Sequence, residues 1–148
     1  MLDHAWIAAH IPHQGDMCLL DSVAEWSPAR IRCRATSHRR ADHPLRADGR
    51  LSAVCGIEYA AQAMAVHGAL LAPAHRPPRP GYLASVRGVD LHAGRLDDLD
   101  DDLDIEAERL SGDDDTILYR FELRSGGRLL LGGRAVVILD AGKGGQRS

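Results

Sequence analysis

The sequence predicts an α+β domain: one curved antiparallel sheet of about six strands wrapped around a single long central helix. Three observations carry this. Residues 52–71 are apolar on nearly every side and rich in alanine, which suits a helix enclosed by other structure. From residue 81 onward the apolar period falls to two, the repeat of strands with one buried face. The last strands follow one another with no helix between them, which argues against a βαβ arrangement. At 148 residues and 16.0 kDa the chain fits one domain, over residues 1–140.

Residues 2–10 mix small and bulky apolar groups (Ala5, Trp6, Ile7, Ala9), and Pro12 follows. A short helix therefore ends before Ile11, because the residue preceding a proline is pushed out of the helical region. Residues 17–25 form a mostly apolar run, a candidate buried strand. In Arg30–Ala35 three arginines alternate with Ile31, Cys33 and Ala35, a half-buried strand. Residues 37–50 are polar and contain Pro44 and Gly49, so they read as a loop. The long helix over 52–71 stops at Pro73, and the proline-rich residues 73–80 make an extended connection. One strand runs from Tyr82 to Leu91. In the next, Leu103, Ile105 and Ala107 alternate with acidic residues, and in a third Ile117, Tyr119, Phe121 and Leu123 alternate with Leu118, Arg120, Glu122 and Arg124. Ser125-Gly126-Gly127 is a tight hairpin signal that leads into a last strand over 128–139. Residues 141–148, rich in Gly and Lys, read as an unstructured tail.

Composition narrows function by exclusion. Apolar residues are 45% and charged residues 26%, ordinary globular values that exclude wholesale disorder. A formal charge of −3 offers no concentrated basic footprint, so neither nucleic acid nor an anionic membrane surface is an expected partner. Glu58, Gln62 and His67 make the long helix too polar for a membrane span. Cys18, Cys33 and Cys55 are odd in number and widely spaced, which fits reduced thiols in the cytoplasm. The first ten residues lack the basic start and apolar run of a signal peptide.

Glu58 and Gln62 are the anomaly in the helix. They sit four apart, on one face, among Ala, Ile, Val, Met and Leu. A carboxylate there is at an opening, hydrogen-bonded, or carries a raised pKa suited to a general acid. The plainer alternative places Glu58 in solvent at the helix start, where the dipole favours negative charge. His13 is the second candidate. It lies in the loop Ile11-Pro12-His13-Gln14-Gly15, whose proline and glycine fix an irregular backbone able to present a side chain into a cleft.

Taken together, the two segments resemble the hot-dog-fold family of β-hydroxyacyl-acyl-carrier-protein dehydratases. There a histidine is followed by an apolar run that ends in aspartate eight positions on, as in His13, residues 17–20 and Asp21. An acid on the central helix has glutamine four later, as Glu58 and Gln62 do. The likeness covers residues 12–139. Gly56, two before the acid, matches one branch of the family. Gly-Ile-Glu-Tyr-x-Ala-Gln-Ala, together with Arg79-Pro80-Gly81-Tyr82-Leu83, resembles the dehydratase-like proteins of aryl-polyene and related polyketide clusters.

The resemblance implies a hot-dog fold and dehydration of 3-hydroxyacyl-carrier-protein thioesters to trans-2-enoyl thioesters, with no metal and no cofactor. His13 would take the C2 proton, and a protonated Glu58 would give one to the departing 3-hydroxyl. Backbone N–H groups near Gly56, at the helix start, would hold the thioester carbonyl. Gln62 and Asp21 would be supporting residues. The implied partners are an acyl carrier protein and a second hot-dog subunit, identical or related, with the histidine of one subunit meeting the acid of the other. A thioesterase on the same fold and a silent partner subunit stay open as alternatives.

Other features have plainer readings. Cys55 reads as packing and not as a nucleophile. His4, His10 and His13 have no completing ligand for a metal. The acidic run over 97–104 lacks the glycine and terminal glutamate of a calcium loop and reads as a solvated loop before an edge strand. Arg39, Arg40, Arg46 and Arg50 could meet the acidic surface of a carrier protein or form an ordinary solvated loop.

Overall fold

The computed structural model describes residues 2–73, 81–113 and 115–139. A short helix α1 (His4–His10) opens the chain, capped by the Asp3 side chain, which accepts from the Trp6 N–H. It ends before Ile11, as the proline two residues on requires. Strands β1 (Ser22–Trp26) and β2 (Arg30–Ala35) precede the long helix α2 (Gly56–Leu71). Strands β3 (Gly81–Leu91), β4 (Leu103–Gly112), β5 (Thr116–Ser125) and β6 (Arg128–Leu139) follow it. All six strands form one antiparallel sheet in the order β1-β2-β4-β5-β6-β3.

The period-two pattern fixes which face is inside. Leu103, Ile105 and Ala107 of β4 and Tyr119, Phe121 and Leu123 of β5 are buried on the face that meets α2. The β5–β6 turn places Gly126 and Gly127 at φ of 59° and 82°, values open to glycine at no steric cost. By length and composition the helical stretch Ala53–Leu71 could cross a bilayer, but here Tyr59, Ala60, Ala63, Met64 and Val66 are buried beneath the sheet.

Four sequence expectations are corrected. Residues 17–21 are not strand: Gly15–Met17 is a 3-10 turn, with Gly15 at a φ of 56°, and pairing begins only at Ser22. Cys18, Leu19 and Leu20 are buried there, which is why the run looked like a strand. The helix expected from residue 52 starts as a 3-10 turn (Ala53–Cys55) before α2 proper, with the Ser52 hydroxyl accepting from the Val54 N–H. The polar residues 37–50 are not simply solvated, since His38 and His43 are buried within them. Strand β4 is central, not an edge, and the acidic run before it supplies a structural carboxylate. Asp97 is nearly buried, accepts from the Leu51 N–H at 2.8 Å and pairs with Arg95 and Arg46. The Arg95 guanidinium holds that carboxyl well below the usual carboxylate range. The expected connection at 73–80, beyond Pro73, and the expected tail at 141–148 lie outside the described residues.

Candidate functional site

The loop after α1 and the first turns of α2 bring His13 and Glu58 together within one chain. His13 Nε2 lies 3.0 Å from Glu58 Oε2, and the two side chains are 24% and 32% exposed, enough for a substrate to reach them. The contact is local to the chain because Gln62, fully buried one turn beyond Glu58, ties the two segments together. Its Oε1 accepts from the Leu19 N–H at 2.9 Å, and its Nε2 donates to the Met17 carbonyl at 2.7 Å and to Glu58 Oε2 at 3.1 Å. The expectation that the histidine of one subunit meets the acid of another is thereby corrected: the same chain supplies both.

Glu58 was expected to carry a raised pKa, and that is corrected as well. The hydrogen bond from His13 lowers it most, burial opposes, and the Gln62 N–H lowers it further. Two N–H donors on one oxygen outweigh partial burial, so the resting group is a carboxylate. Burial and the nearby Glu58 push the Cys55 thiol up, which makes it a poor nucleophile.

Along this pair runs a cavity of about 540 Å³. One wall is α2, where Glu58, Ala61, Ala65 and Gly68 recur at helical spacing and leave room by being small beyond the acid. Tyr82 and Leu83 of β3, Ile117 and Tyr119 of β5 and Val137 and Leu139 of β6 form the rest. Most of the lining is apolar; beside the two tyrosines, its ionisable residues are His10, His13 and Glu58. A second depression of about 640 Å³ on the outer sheet face contains neither His13 nor Glu58, so the chemistry belongs to the inner one.

The other predicted site residues serve the scaffold. Asp21 accepts from the Thr36 hydroxyl at 2.6 Å, and its own N–H reaches the Arg34 carbonyl, which joins the start of β1 to the end of β2. Gly56 lies where a Cβ would stand 2.7 Å from a Leu131 methyl and 3.0 Å from a Leu123 methyl, so it lets α2 approach the sheet. Its N–H reaches the Ala53 and Val54 carbonyls, while the N–H groups of Ala53, Val54 and Cys55 are also satisfied. No amide from 53 to 56 is free to hold a thioester carbonyl, contrary to expectation. Arg39, Arg40 and Arg46 are tied to neighbouring carboxylates and carbonyls. The cavity's β-strand residues were missed in the sequence, because period two shows which face is inside but not where the sheet stands away from the helix.

A single antiparallel sheet packed on one long helix, with a histidine and a carboxylate in contact beside a cavity along that helix, defines a protein of the hot-dog class. Residues 5–141 match the model of the ApeP-like family, described as ApeP dehydratase, and the chain belongs to that family. It is similar to a chain of the dehydratase heterocomplex ApeI:P from Xenorhabdus doucetiae, at 25% identity and a TM-score of 0.77 over 90% of each chain. AziG of S. sahachiroi shares the fold at 16% identity and a TM-score of 0.62, over 83% of this chain and 91% of that one. So does a mutant of thioesterase PA1618 from Pseudomonas aeruginosa, at 12% identity and a TM-score of 0.65, over 93% of each. No curated protein matches the chain significantly in sequence.

Proposed function

We propose that this dehydratase-family chain removes water from 3-hydroxyacyl thioesters borne on an acyl carrier protein, in an aryl-polyene type of pathway in the cytoplasm. The observation that carries the reading is the 3.0 Å contact between His13 Nε2 and Glu58 Oε2 in the lining of a mostly apolar cavity. The acyl chain lies along Ala61, Ala65 and Gly68, which brings C2 and C3 to the pair.

The resting pair is open to water, and Glu58 is the anion. An acyl chain that fills the cavity displaces that water, and a drier site favours neutral partners over separated charges. A proton then rests on Glu58 and leaves His13 Nε2 with its lone pair. The C2–H bond breaks as its proton goes to Nε2. The C3–O bond breaks as Glu58 protonates the hydroxyl, C2=C3 forms, and water leaves. Water loss leaves the C2 proton on His13 and Glu58 as the anion, which is the resting pair again.

The similarity to a heterocomplex supports assembly with a related hot-dog subunit. The decisive experiment incubates the chain, alone and with its partner subunit, with 3-hydroxyacyl carrier proteins. Loss of one water in the mass spectrum, abolished by His13→Ala, is the expected result. Release of free thiol instead identifies a thioesterase. Water loss that survives His13→Ala in the mixed complex identifies a silent partner.

A further inference from the structure

Leu19 is held from both sides. Its N–H goes to Gln62, as described, and its carbonyl accepts from the Ser37 hydroxyl at 2.8 Å. Ser37 in turn contacts the Tyr59 hydroxyl at 2.7 Å, and Tyr59 contacts His43 Nε2 at 3.0 Å. The Leu45 N–H donates to His43 Nδ1 at 3.1 Å. Tyr59 is fully buried, and His43 and Ser37 are only 3% and 6% exposed.

These contacts have one consistent direction. Because the Leu45 N–H occupies Nδ1, that nitrogen supplies a lone pair and the His43 proton sits on Nε2. Burial, with Arg40 and Arg46 nearby, lowers the His43 pKa and favours this neutral form. His43 therefore donates to Tyr59. Tyr59, whose phenol burial pushes up to about 12, donates to Ser37, and Ser37 donates to the Leu19 carbonyl. On the far side of the same residue, the Leu19 N–H fixes which way the Gln62 amide faces: Oε1 must accept, so Nε2 must point at Met17 and Glu58.

We infer that His43, Tyr59 and Ser37 are positioning residues for the His13–Glu58 pair, acting through Leu19 and the orientation it imposes on Gln62. None of the three lines the cavity, so each acts through the others and not on substrate. The cascade sets the place of the segment that follows His13 and keeps an N–H donor on Glu58. The inference rests on the reading that His13 and Glu58 are the chemical pair.

The test is Tyr59→Phe, which removes one hydroxyl and keeps the ring, with Ser37→Ala as an independent second variant. Two readouts are taken on the full chain, with its partner subunit present for kinetics. These are kcat and KM for water loss, and the titration of the Glu58 carboxyl in the resting protein by carbon-13 NMR. Both variants lose about ten- to hundred-fold in kcat with KM within about twofold. In both, the Glu58 titration moves up toward the ordinary carboxylate range as Gln62 loses its fixed orientation. Ile105→Val, a buried substitution on β4 outside the hydrogen-bond cascade, changes neither readout. An unmoved Glu58 titration in both variants overturns the inference, and so does an equal loss of kcat in Ile105→Val. If the wild type removes no water, the functional reading fails, but the NMR titration still decides the cascade.

Discussion

Gln62→Leu isolates the residue that joins the loop to the helix. The change nearly conserves volume at a fully buried position, so little of its effect comes from packing. It strips the partner from the Leu19 N–H, in a residue only 1% exposed, and from the Met17 carbonyl, whose residue is half-buried. A buried orphan costs about 1–3 kcal/mol, with Leu19 toward the top and Met17 toward the bottom of that range. The added apolar burial of leucine offsets only part of this, so the expected loss is about 2–4 kcal/mol. For a chain of 148 residues that lowers Tm by roughly 5–15 °C. Urea unfolding at pH 7.5, which reads the midpoint at unchanged slope, measures it. A loss below about 0.5 kcal/mol would show that the loop is held by something other than this amide, and the account of how His13 meets Glu58 would fall with it.

Gly56→Ala tests packing against substrate binding at one position. The new methyl meets Leu131 and Leu123, and the better helix propensity of Ala repays part of that, leaving a net loss of about 1 kcal/mol in urea unfolding. KM stays unchanged; a raised KM with intact stability would return Gly56 to the substrate site. Gly68→Leu fills open cavity, since a Cβ there meets nothing within 4 Å. It keeps or raises Tm and cuts kcat/KM for long acyl chains by about ten-fold or more, while short chains are spared; equal loss for all lengths refutes the acyl path along α2. Burial lowers the pKa of His38, His43 and His67, so each binds fewer protons folded than unfolded. Their stabilisation is complete above the ordinary histidine value and is lost as pH falls through it toward the folded values, at up to about 4 kcal/mol per pH unit for the three together. A urea midpoint that stays flat between pH 7.5 and 5.5 contradicts this.

The fold was legible because its signals are local. Alternation in Leu103, Ile105 and Ala107 and the Gly126-Gly127 turn each reflect geometry within a few residues, and each is found where the pattern put it. The apolar residues 17–20 misled for the opposite reason. Leu19 gives its N–H to a side chain 43 positions away, and no local period distinguishes that from a strand partner. The candidate acid was legible as a residue type, since Glu58 and Gln62 stand where only apolar groups belong. Its electrostatics were not, because the direction of the Glu58 shift depends on two donors that tertiary packing delivers. Asp97 was hidden in the same way: five acidic neighbours between 98 and 104 made it look solvated, and only the arrival of Arg95, Arg46 and the Leu51 N–H marks it as structural.

The polar residues of α2 share a physical logic that binds fold to site. Three irregular segments meet α2: the chain between α1 and β1, the exposed turn between β1 and β2, and the residues after β2, of which the first and third carry buried or half-buried backbone groups without a strand partner. Such groups must be satisfied from elsewhere. Gln62 serves the first at Met17 and Leu19, and His67 serves the second, with Nε2 reaching the Ser27 carbonyl at 2.7 Å. Tyr59 serves the third through Ser37 and His43. The same helix that gives the sheet its core is therefore a spine to which the irregular segments are fastened, one polar side chain to each. Glu58 stands on that spine one turn before Gln62, and its face opens on the cavity instead of on backbone. It is the polar group the scaffold does not need, and for that reason the one left over for chemistry.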